Sequence, residues 1–569
     1  MRTPFAFVLT QFSNCCIIDN MKKLFRLFVL FILLAGLGLE LSVNAYPSNA
    51  IVRVGIMDEK YTTVEKSEIT IYGTEGLVVN DISTKSELLN LSEGKFLTIQ
   101  REDGENILSY IDTETQDVIE LKSKNDLSIT SPNGVIGINN FIRGGKPAMY
   151  RGEFRIHGIK PDKFCLVNVL DVEYYLKGVV PCEMPVTFGL EALKSQAVAA
   201  RVYSLTPRTK MSRLYDVVDS VASQVYNGYN RESYIANKAI DETHGIVALY
   251  NDEMIIAVFS STAGGYTECY SETFSDPITQ QFPSPEKPYL KAKPDLPEFK
   301  PLDSEEEAYK FYSTKPLSYD IHSPLYRWTR RWTKGELQNV LKNTLVVQSK
   351  TGFVEPRLTN SADFGELKSI RVTQRGVSGK IVFMEIETDK TIYTVSKELV
   401  IRRLFTKDGK ALPSANVVFR PKLNGKDITE GDWDEIIAYG GGFGHGCGLS
   451  QFGAMYMAKD CRLPFETILK HYYTGIVLGT KPIELKSQPI PISFFVPSEK
   501  SVLVIQNKHD LHSLRLKIND AETELDLTGY KTNSRAEIDI SQFITPKKLN
   551  IITFYPTHRH LKMYVRLSD

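Results

Sequence analysis

A glutamate held between two prolines is the first residue of this chain that is placed for acid–base chemistry. Glu183 lies in the run Val-Val-Pro-Cys-Glu-Met-Pro, from Val179 to Pro185. Apolar residues then recur at steps of three and four and predict a helix from Leu190 to Leu205. A carboxylate on a stiff turn before a helix cannot easily enter its own core, so we expect Glu183 to meet a ligand. The alternative is a surface carboxylate that compensates the helix dipole.

A second unusual segment, rich in glycine, surrounds His445. Six glycines fall between Gly440 and Gly448, and the run Leu-Ser-Gln-Phe-Gly-Ala follows them. Because glycine loses much conformational entropy on folding, so many glycines indicate a backbone that takes positive φ or admits a close neighbour. Nucleotide binding is disfavoured, since the segment lacks the Lys-Ser/Thr pair of a P-loop and the βαβ context of a dinucleotide fingerprint.

The elements that must position these residues divide the chain into three regions beyond its amino terminus. Residues 46–150 alternate in short apolar runs separated by Gly, Asn and Asp, which predicts a β-rich domain. Strands mix with helices over residues 151–486, including a helix that opens near Glu232 and two that follow Ser450. Residues 492–569 alternate again and predict a small β domain of the sandwich type. The predicted fold class is α+β.

The stretch from Asp295 to Leu345 is typical of an excursion from the middle region. It is rich in proline at first, then charged, and it contains Trp328 and Trp332. Aromatic rings of this kind stack on sugar rings in glycan-binding sites, and burial in a hydrophobic core is the alternative role for each.

The first 45 residues carry the features of a secretory signal peptide. A basic segment opens at Met21, an uncharged apolar run extends from Leu27 to Leu39, and small residues up to Ala45 offer a cleavage site. The apolar run is shorter than the roughly 20 residues of a membrane span. We therefore expect translation from Met21 and export across the cytoplasmic membrane to the periplasm or cell envelope. An uncleaved membrane anchor is the alternative.

The equal numbers of basic and acidic side chains indicate which classes of ligand the protein is suited to bind. The 569 residues include 68 basic and 68 acidic side chains, which argues against nucleic-acid binding and against electrostatic capture of a polyanion. A neutral, glycan-like substrate suits this balance better. The apolar fraction of 42% is ample for buried cores, and the length suggests three or four compact units.

Six ordered segments carry a resemblance to a known family. They are Glu173–Pro185, Leu193–Ser204, Ser223–Gly228, Ser261–Glu268, Pro288–Leu290 and Gly442–Ala454. These segments resemble the motifs of the SpoIID/LytB family of sporulation-stage peptidoglycan lytic transglycosylases and amidase enhancers. The resemblance extends roughly from Gly152 to Thr480, more than half of the chain, and an ordered set of motifs is far more specific than any one of them.

The resemblance implies a lytic reaction that needs one carboxylic acid, whereas ordinary glycosidases use two. The C6 hydroxyl of muramic acid attacks its own anomeric carbon, so Glu183 alone would protonate the leaving oxygen and take the hydroxyl proton. The product is a 1,6-anhydro sugar, and no water is consumed. A general acid at neutral pH needs a raised pKa, which desolvation among Pro181, Met184 and Pro185 under bound glycan would supply. No cofactor is expected.

Other residues of the matching motifs are expected to support the substrate or the acid. His445 would orient the substrate or act on the charge of Glu183, although a glycine-flanked histidine also suits a simple hydrogen bond to a backbone carbonyl. Ser261, Ser450 and Gln451 offer hydrogen bonds to sugar hydroxyls and N-acetyl groups. A structural role is the alternative for the remaining candidates, which are Tyr203, Gln224, Tyr226 and Glu268.

Five cysteines follow the signal segment, and their state is open. They are Cys165, Cys182, Cys269, Cys447 and Cys461. In an exported protein they invite disulfides, and Cys182 and Cys447 would bridge if the two motifs bring their Cα atoms within about 7 Å. A zinc site of Cys182, Cys269, Cys447 and His445 is a second arrangement, although no close spacing such as Cys-x-x-Cys supports it. Free thiols are the third.

Three functional classes remain. An enzyme would cleave peptidoglycan strands, which the resemblance suggests have first lost their stem peptides. A non-catalytic enhancer would share the fold and stimulate a cell-wall amidase. A structural, glycan-binding envelope protein would have little use for the glycine-rich segment. Glu183 favours the enzyme, because an enhancer has no chemical need for an acid in that position.

If the signal segment is removed, the mature chain should begin at Tyr46. Amino-terminal sequencing of the envelope fraction measures this directly. A mature chain that still begins at Met21 would establish a membrane anchor instead.

Overall fold

The computed structural model describes residues 50–206, 212–295, 298, 300–429, 431–557 and 561–567, so the predicted signal segment lies outside the described residues. Within those ranges, no helix is long and apolar enough to cross a membrane. Helices and several β-sheets share the described chain, and the predicted α+β class is confirmed.

Strands fill the first part of the described chain. They are β1 Ile51–Gly55, β2 Glu65–Lys66, β3 Glu68–Gly73, β4 Leu77–Asp81, β5 Glu87–Leu91, β6 Phe96–Glu102, β7 Glu105–Ile111, β8 Val118–Ser123, β9 Leu127–Thr130, β10 Ile136–Arg143, β11 Lys146–Tyr150, β12 Glu153–Lys160 and β13 Lys163–Asp171. Side chains alternate between core and surface, as in β3, where Ile69 and Ile71 are buried. The β-rich character predicted for residues 46–150 is confirmed.

These strands form two sheets. One has the order β1-β13-β12-β9-β4-β5, and β2 pairs with β13 at its side. The other has the order β11-β10-β3-β6-β7-β8. The first sheet therefore continues through β12 and β13, and it leads the chain directly into the helix that ends at Glu183.

Helices and short strands follow this β region. They are α1 Val172–Glu183, α2 Leu190–Leu205, β14 Val217–Val218, α3 Tyr234–Asp241, β15 Ile246–Tyr250, β16 Glu253–Met254 and β17 Phe259–Ser260. The bounds of α2 are those that the apolar spacing predicts, and α3 begins close to Glu232. β14 extends the first sheet by pairing in parallel with β1.

A buried ion pair fastens α1 to α2. The Arg201 guanidinium donates to both carboxylate oxygens of Glu173, at 2.8 and 2.6 Å, and their side chains are 1% and 7% exposed. The same carboxylate accepts the Gly245 N–H at 3.1 Å, and Arg201 also donates to the Ile246 carbonyl at 3.0 Å. Because buried charges are tolerated only when paired and hydrogen bonded, this network fixes both helices against β15.

A second hydrophobic core forms in the following region. Its elements are α4 Glu305–Tyr312, β18 Trp328–Thr333, α5 Lys334–Gln348, β19 Val354–Glu355, β20 Leu367–Arg375, β21 Ile381–Thr388, β22 Ile392–Ser396, α6 Glu398–Leu404, β23 Val417–Leu423, β24 Lys426–Asp427 and β25 Glu435–Gly440. Trp328 and Trp332 lie in this core, 6% and 1% exposed. Their role is packing, and they do not offer a face to sugar rings.

The remaining elements contribute residues to the first hydrophobic core, which they share with the β region and with α1 and α2. They are β26 Leu449–Ser450, α7 Gln451–Lys459, α8 Phe465–Tyr472, β27 Val477–Thr480, β28 Ile483–Leu485, β29 Ile490–Phe495, β30 Ser501–Lys508, β31 Ser513–Ile518, β32 Ala521–Asp526, β33 Ser534–Asp539, β34 Leu549–Phe554 and β35 Leu561–Leu567. The two helices predicted after Ser450 are α7 and α8. Four C-terminal strands form a sheet in the order β29-β34-β31-β32, whereas β30, β33 and β35 join a sheet with β15, β16 and β27.

Removal of one partner of the Glu173–Arg201 pair should be costly. Glu173→Gln leaves the Arg201 charge buried without a counter-charge, and we expect a loss of roughly 3–5 kcal/mol in the free energy of unfolding. Urea unfolding measures it. Arg371→Met is the control, because Arg371 is 70% exposed and its pair with Glu385 should contribute less than about 1 kcal/mol. Equal losses from the two variants would contradict a stabilising role for the buried pair.

Candidate active site

Glu183 is the last residue of α1, which corrects the prediction of a stiff turn before a helix. Asp171 caps the start of α1 by accepting the Glu173 N–H at 2.8 Å, and the helix runs through Pro181. Val179 and Val180 are fully buried. Their burial in the core holds the helical path that the proline disfavours, which the local sequence could not reveal.

The Glu183 carboxyl group is partly buried and has one hydrogen-bond donor. Its Oε1 accepts the Val225 N–H at 2.6 Å. Burial raises the pKa of this carboxyl to about 6, although the Val225 N–H opposes the shift. Its position at the carboxyl end of a helix also disfavours the anion. A proton is therefore available on Glu183 close to neutral pH, and part of the predicted desolvation exists before any glycan binds.

Gln224 and Tyr226 hold Val225 in place from either side. The Gln224 side-chain oxygen accepts the Tyr175 O–H at 3.0 Å, and the Tyr226 O–H donates to Asn168 at 2.8 Å. Both side chains are buried, at 0% and 1% exposure. Their hydrogen bonds are made within the protein, so they position the backbone donor of Glu183.

Gly178 of α1 is required by the same packing. A Cβ atom at this position would lie 2.6 Å from the Tyr226 ring, closer than real Cβ contacts allow. The helix and the Val225 segment can therefore approach each other only because residue 178 has no side chain. Tyr203 lies nearby and is half-buried, with its ring centroid 6.1 Å from that of Phe259.

The glycine-rich segment lies directly on the segment that contains Ser261. β17 and β26 pair in parallel, and Thr262 and Phe443 exchange backbone hydrogen bonds at 3.1 and 2.9 Å. A Cβ on Gly264, which has φ +88°, would lie 2.8 Å from the Gly441 carbonyl carbon. Two backbones thus touch where a side chain would separate them, which is the close approach that the glycine content predicts.

Three side chains from residues 320–328 form hydrogen bonds to the backbone at this contact. The sequence analysis did not predict this role for them. The buried Asp320 carboxylate accepts the N–H groups of Gly264 and Gly265 at 2.6 and 3.2 Å. Arg327 donates to the Gly264 carbonyl at 3.0 Å, and Trp328 donates to the Gly442 carbonyl at 3.1 Å. Each lies far along the chain from its partner and has no motif around it, so the sequence offers no signal.

His445 is anchored within its own loop. Its Nδ1 accepts the Cys447 N–H at 3.1 Å, and its ring centroid lies 5.1 Å from that of Phe274. The neutral imidazole therefore carries its proton on Nε2. The ring therefore has a backbone partner within its own loop, as the structural alternative expects, and that partner is an N–H. The His445 carbonyl in turn accepts from Lys380, a fully buried lysine that sequence reasoning missed.

The other predicted ligand-binding residues differ in exposure. Ser450 is fully buried and caps α7, because its Oγ accepts the Ala263 and Gly453 N–H groups at 3.2 and 3.3 Å. Gln451 is 7% exposed and donates to Gln196 at 3.2 Å. Ser261 is partly exposed and is the better placed of these to meet a ligand.

Glu268 is fully buried, and it accepts the Ser378 N–H and O–H at 3.1 and 2.7 Å. Its carboxylate therefore connects the region of the second core to the segment that contacts the glycine-rich loop.

Phe443, in contrast, is exposed to solvent. It lies between two glycines, and 44% of its surface is accessible. A single aromatic residue within a run of glycines could have indicated an exposed ring from the sequence alone.

Helix packing joins the Glu183 motif to the glycine-rich segment. Phe188, just beyond Glu183, packs its ring 4.8 Å from that of Phe452 at the start of α7. Gln196 of α2 and Gln451 of α7 are hydrogen bonded. The segment that follows Glu183 thus packs against α7, the helix that follows the histidine loop (Gly440–Gly448).

All five described cysteines are free thiols. Burial raises the pKa of the Cys182 thiol, and Asn227 and Arg231 oppose that shift, whereas the groups that act on the pKa of buried Cys447 are Lys380, Glu268 and Cys269. The bridge of Cys182 to Cys447 is therefore absent from the structure.

The predicted zinc ligands do not assemble either. In the part of the chain that the structure describes, the side chains close enough to share a metal ion are Glu268, Cys269 and Glu272. Cys182, Cys447 and His445 are not members of that group. Burial and the neighbouring Glu268 carboxylate raise the pKa of Glu272 to about 7, and the Lys380 ammonium opposes that shift.

Comparison with known proteins agrees with this architecture. Residues 160–250 match the family described as Stage II sporulation protein (SpoIID), and residues 276–448 match a domain of unknown function, DUF8618. The second match covers most of the second core and the histidine loop. These matches confirm the resemblance to the SpoIID/LytB family that the motifs indicate.

Two relatives are informative. The chain is 32% identical over 308 residues to the amidase enhancer of Bacillus subtilis (strain 168), which is 53% of this chain and 40% of that protein. It is 29% identical over 325 residues to Stage II sporulation protein D of the same organism, which is 54% of this chain and 74% of that protein. The match thus spans less than half of the amidase enhancer. One name refers to the enhancement of an amidase and the other to sporulation.

The raised pKa of Glu183 predicts how a neutral substitute affects stability. The carboxyl pKa is about 6 in the folded chain and near 4.5 otherwise, so the ionised form destabilises the fold above pH 6 by roughly 2 kcal/mol, and this penalty disappears as pH falls below 4.5. Glu183→Gln keeps an acceptor for the Val225 N–H and removes the charge.

We therefore expect Glu183→Gln to be more stable than the wild-type chain at about pH 7.5 and equally stable at about pH 4. Urea unfolding at both pH values measures the difference. The exposed Glu93→Gln variant should be unchanged at either pH. A Glu183→Gln chain less stable than wild type at the higher pH would show that the carboxylate is stabilised, contrary to its raised pKa.

Proposed function

We propose that the chain is a peptidoglycan lytic transglycosylase in which Glu183 acts first as general acid and then as general base. The observation that carries this proposal is the isolation of a protonatable carboxyl group. Burial and the Val225 N–H set the pKa of Glu183, and no other carboxylate of the described residues contributes to it.

A hydrolytic glycosidase needs a second carboxylate about 5–9.5 Å from the first, and at the shorter distances two such groups raise the pKa of one another. Among the described residues, no carboxylate contributes to the raised pKa of Glu183. A single acid suits the lytic reaction, in which the substrate supplies its own nucleophile.

The reaction balances without water. Glu183 donates its proton to the glycosidic oxygen as the bond from that oxygen to the anomeric carbon of muramic acid breaks. The resulting carboxylate takes the proton of the C6 hydroxyl, whose oxygen forms a new bond to the same anomeric carbon. Glu183 ends protonated, and the strand ends in a 1,6-anhydro sugar. A pKa near 6 suits both steps, because the group must give and take a proton at similar pH.

Groups of the glycine-rich segment and of the segment paired with it would bind the sugar. Exposed Phe443 offers an aromatic face, and partly exposed Ser261 offers a hydroxyl beside it on the paired segment. His445, with its proton on Nε2, would donate a hydrogen bond to a substrate oxygen. We expect the substrate to be a peptide-stripped strand, the cellular location to be the periplasm or envelope, and no cofactor to take part.

The second candidate is a non-catalytic enhancer of a cell-wall amidase. The 32% identity to a protein named amidase enhancer favours it. Such a protein would use the same residues to hold a strand for its partner, and the carboxyl proton would have no function.

Substitution of Glu183 separates the two candidates. Glu183→Gln removes the transferable proton, so release of 1,6-anhydromuramic ends from stripped strands by the purified chain should fall by roughly 10²-fold or more. Mass spectrometry of the products measures it, and Glu93→Gln should retain wild-type release. Wild-type protein that cleaves no strand but accelerates an amidase, with Glu183→Gln equally stimulating, would reject the enzyme and establish the enhancer.

A further inference from the structure

A guanidinium without a counter-charge lies beside the Glu183 motif. Arg231 is the last residue of a single-turn 3₁₀ helix, Tyr229–Arg231, and it is partly exposed. In the part of the chain that the structure describes, no carboxylate forms an ion pair with Arg231, and its buried Nε donates no hydrogen bond. A guanidinium in this state has unused donors and an unmatched positive charge.

The carboxylates closest to this helical turn are engaged by other cations. Glu232, the next residue, accepts from Arg151 with both carboxylate oxygens, at 2.6 and 3.2 Å. Asp219 is paired with Arg143 at 2.8 Å, and both side chains are fully buried. Neither carboxylate is therefore available to Arg231.

The exposed residues next to the turn between β10 and β11 do not supply a partner either. The Lys146 ammonium donates to the Asn230 carbonyl at 2.8 Å, and the Glu59 carboxylate accepts the Ile142 N–H at 3.4 Å. Their opposite charges balance each other. The charge that remains unmatched on this surface is the positive charge of Arg231.

Arg231 adjoins the acid along accessible surface. Burial raises the pKa of the thiol of Cys182, the residue before Glu183, and Asn227 and Arg231 oppose that shift. The Glu183 carboxyl accepts the Val225 N–H, and the segment that begins at Val225 continues to Arg231. Cys182, Glu183, Val225 and Arg231 are each partly exposed. A ligand that reaches Glu183 can therefore also meet the guanidinium.

A buried acceptor without a donor lies next to Arg231. Asn227 is 7% exposed, and its Oδ1 has no hydrogen-bond partner among the described residues. A Cβ on Gly144, which has φ +54°, would lie 2.9 Å from Asn227 Nδ2 and 3.4 Å from Arg231 Cδ, so both side chains meet the same turn. Gly144 and Gly145 are exposed and have no side chains that would block this edge. Buried polar atoms of this kind require a ligand or an ordered water.

We propose that Arg231 binds the free lactyl carboxylate of a muramic acid residue, next to the bond that is cleaved, and that Asn227 accepts the acetamido N–H of the same sugar. This inference rests on the proposed function, because it concerns the same glycan strand. The lactyl and acetamido groups are on neighbouring ring carbons, so one muramic acid residue presents an anion and an N–H donor side by side.

The state of the stem peptide decides whether that anion exists. In an intact strand the stem peptide ties the lactyl group into a neutral amide. Removal of the peptide leaves a carboxylate on each muramic acid. Arg231 would then distinguish stripped strands by charge, and its planar guanidinium suits a carboxylate better than an ammonium does.

The test measures binding without cleavage. All variants carry Glu183→Gln, and isothermal titration gives the Kd for stripped strands, for the same strands with lactyl carboxylates converted to methylamides, and for peptide-bearing strands. Arg231→Met should weaken binding of stripped strands about tenfold, the effect of one lost charge-assisted hydrogen bond, and leave the methylamide strands unchanged. Arg403→Met is the control, because Arg403 is exposed and lies on α6, and it should match the parent.

Asn227→Asp tests the charge without removing Arg231. The variant keeps the shape of the side chain and places a carboxylate beside the guanidinium, which supplies the missing counter-charge. Binding of stripped strands should weaken at least tenfold, whereas binding of the methylamide strands should change little. Stripped strands that bind Asn227→Asp as tightly as the parent would contradict the proposed site.

Unchanged affinity of Arg231→Met for stripped strands would overturn the inference and leave a bound water as the partner of both side chains. An equal effect of Arg231→Met on the methylamide or peptide-bearing strands would also overturn it, because the loss would then not depend on the lactyl carboxylate.

Dicarbonyl modification of arginines, mapped by mass spectrometry, is a second readout on the Glu183→Gln chain. Stripped strands should protect Arg231 and not Arg403, and an unprotected Arg231 would overturn the inference even if Arg231→Met unfolds. Absence of anhydro product from the wild-type chain would reject the proposed function alone, since neither titration nor protection depends on cleavage.

Discussion

The carboxyl group of Glu183 is kept partly out of water at the carboxyl end of a helix, with a single backbone N–H to accept from. This placement requires that both the end of α1 and the Val225 N–H have fixed positions. The helix must end at a fixed place, so α1 is capped at Asp171 and tied to α2 by Arg201. The donor must also be fixed, so Val225 is held by buried neighbours on both sides. A carboxyl group in such a position has a raised pKa without any second acid beside it.

The histidine loop depends on a different physical condition, the contact of two backbones. Gly264 and Gly442 each meet the opposite strand where a Cβ would collide. A buried carboxylate and an indole N–H then satisfy the polar groups that such a contact leaves at its edge. Much of the second core thus supports a loop that belongs to the first core, and the match to a separate domain of unknown function covers both that core and the loop.

The α+β class and the helix at Leu190–Leu205 could be predicted from the sequence, because both follow from local periodicity and residue type. It misplaced Glu183 on a turn, since burial of Val179 and Val180 overrides the local preference of Pro181. Several motif residues that seemed available to a ligand, such as Gln224 and Ser450, are buried and bonded within the protein. A motif indicates that a polar residue is needed at a position. The fold is required to decide whether its hydrogen-bond partner is a ligand or another group of the protein.

Residues that act across long sequence distances could not be predicted at all. Asp320 and Lys380 lie in local sequence without a motif, and their roles follow from the backbone groups that the fold brings to them.

The central claim is that one carboxyl group cleaves the strand without water. The most direct test is to run the reaction of the wild-type chain with stripped strands in water enriched in oxygen-18 and to weigh the new ends by mass spectrometry. The account predicts ends that carry no label, since the C6 oxygen of the substrate closes the ring. New reducing ends that carry one labelled oxygen would establish hydrolysis and contradict the account.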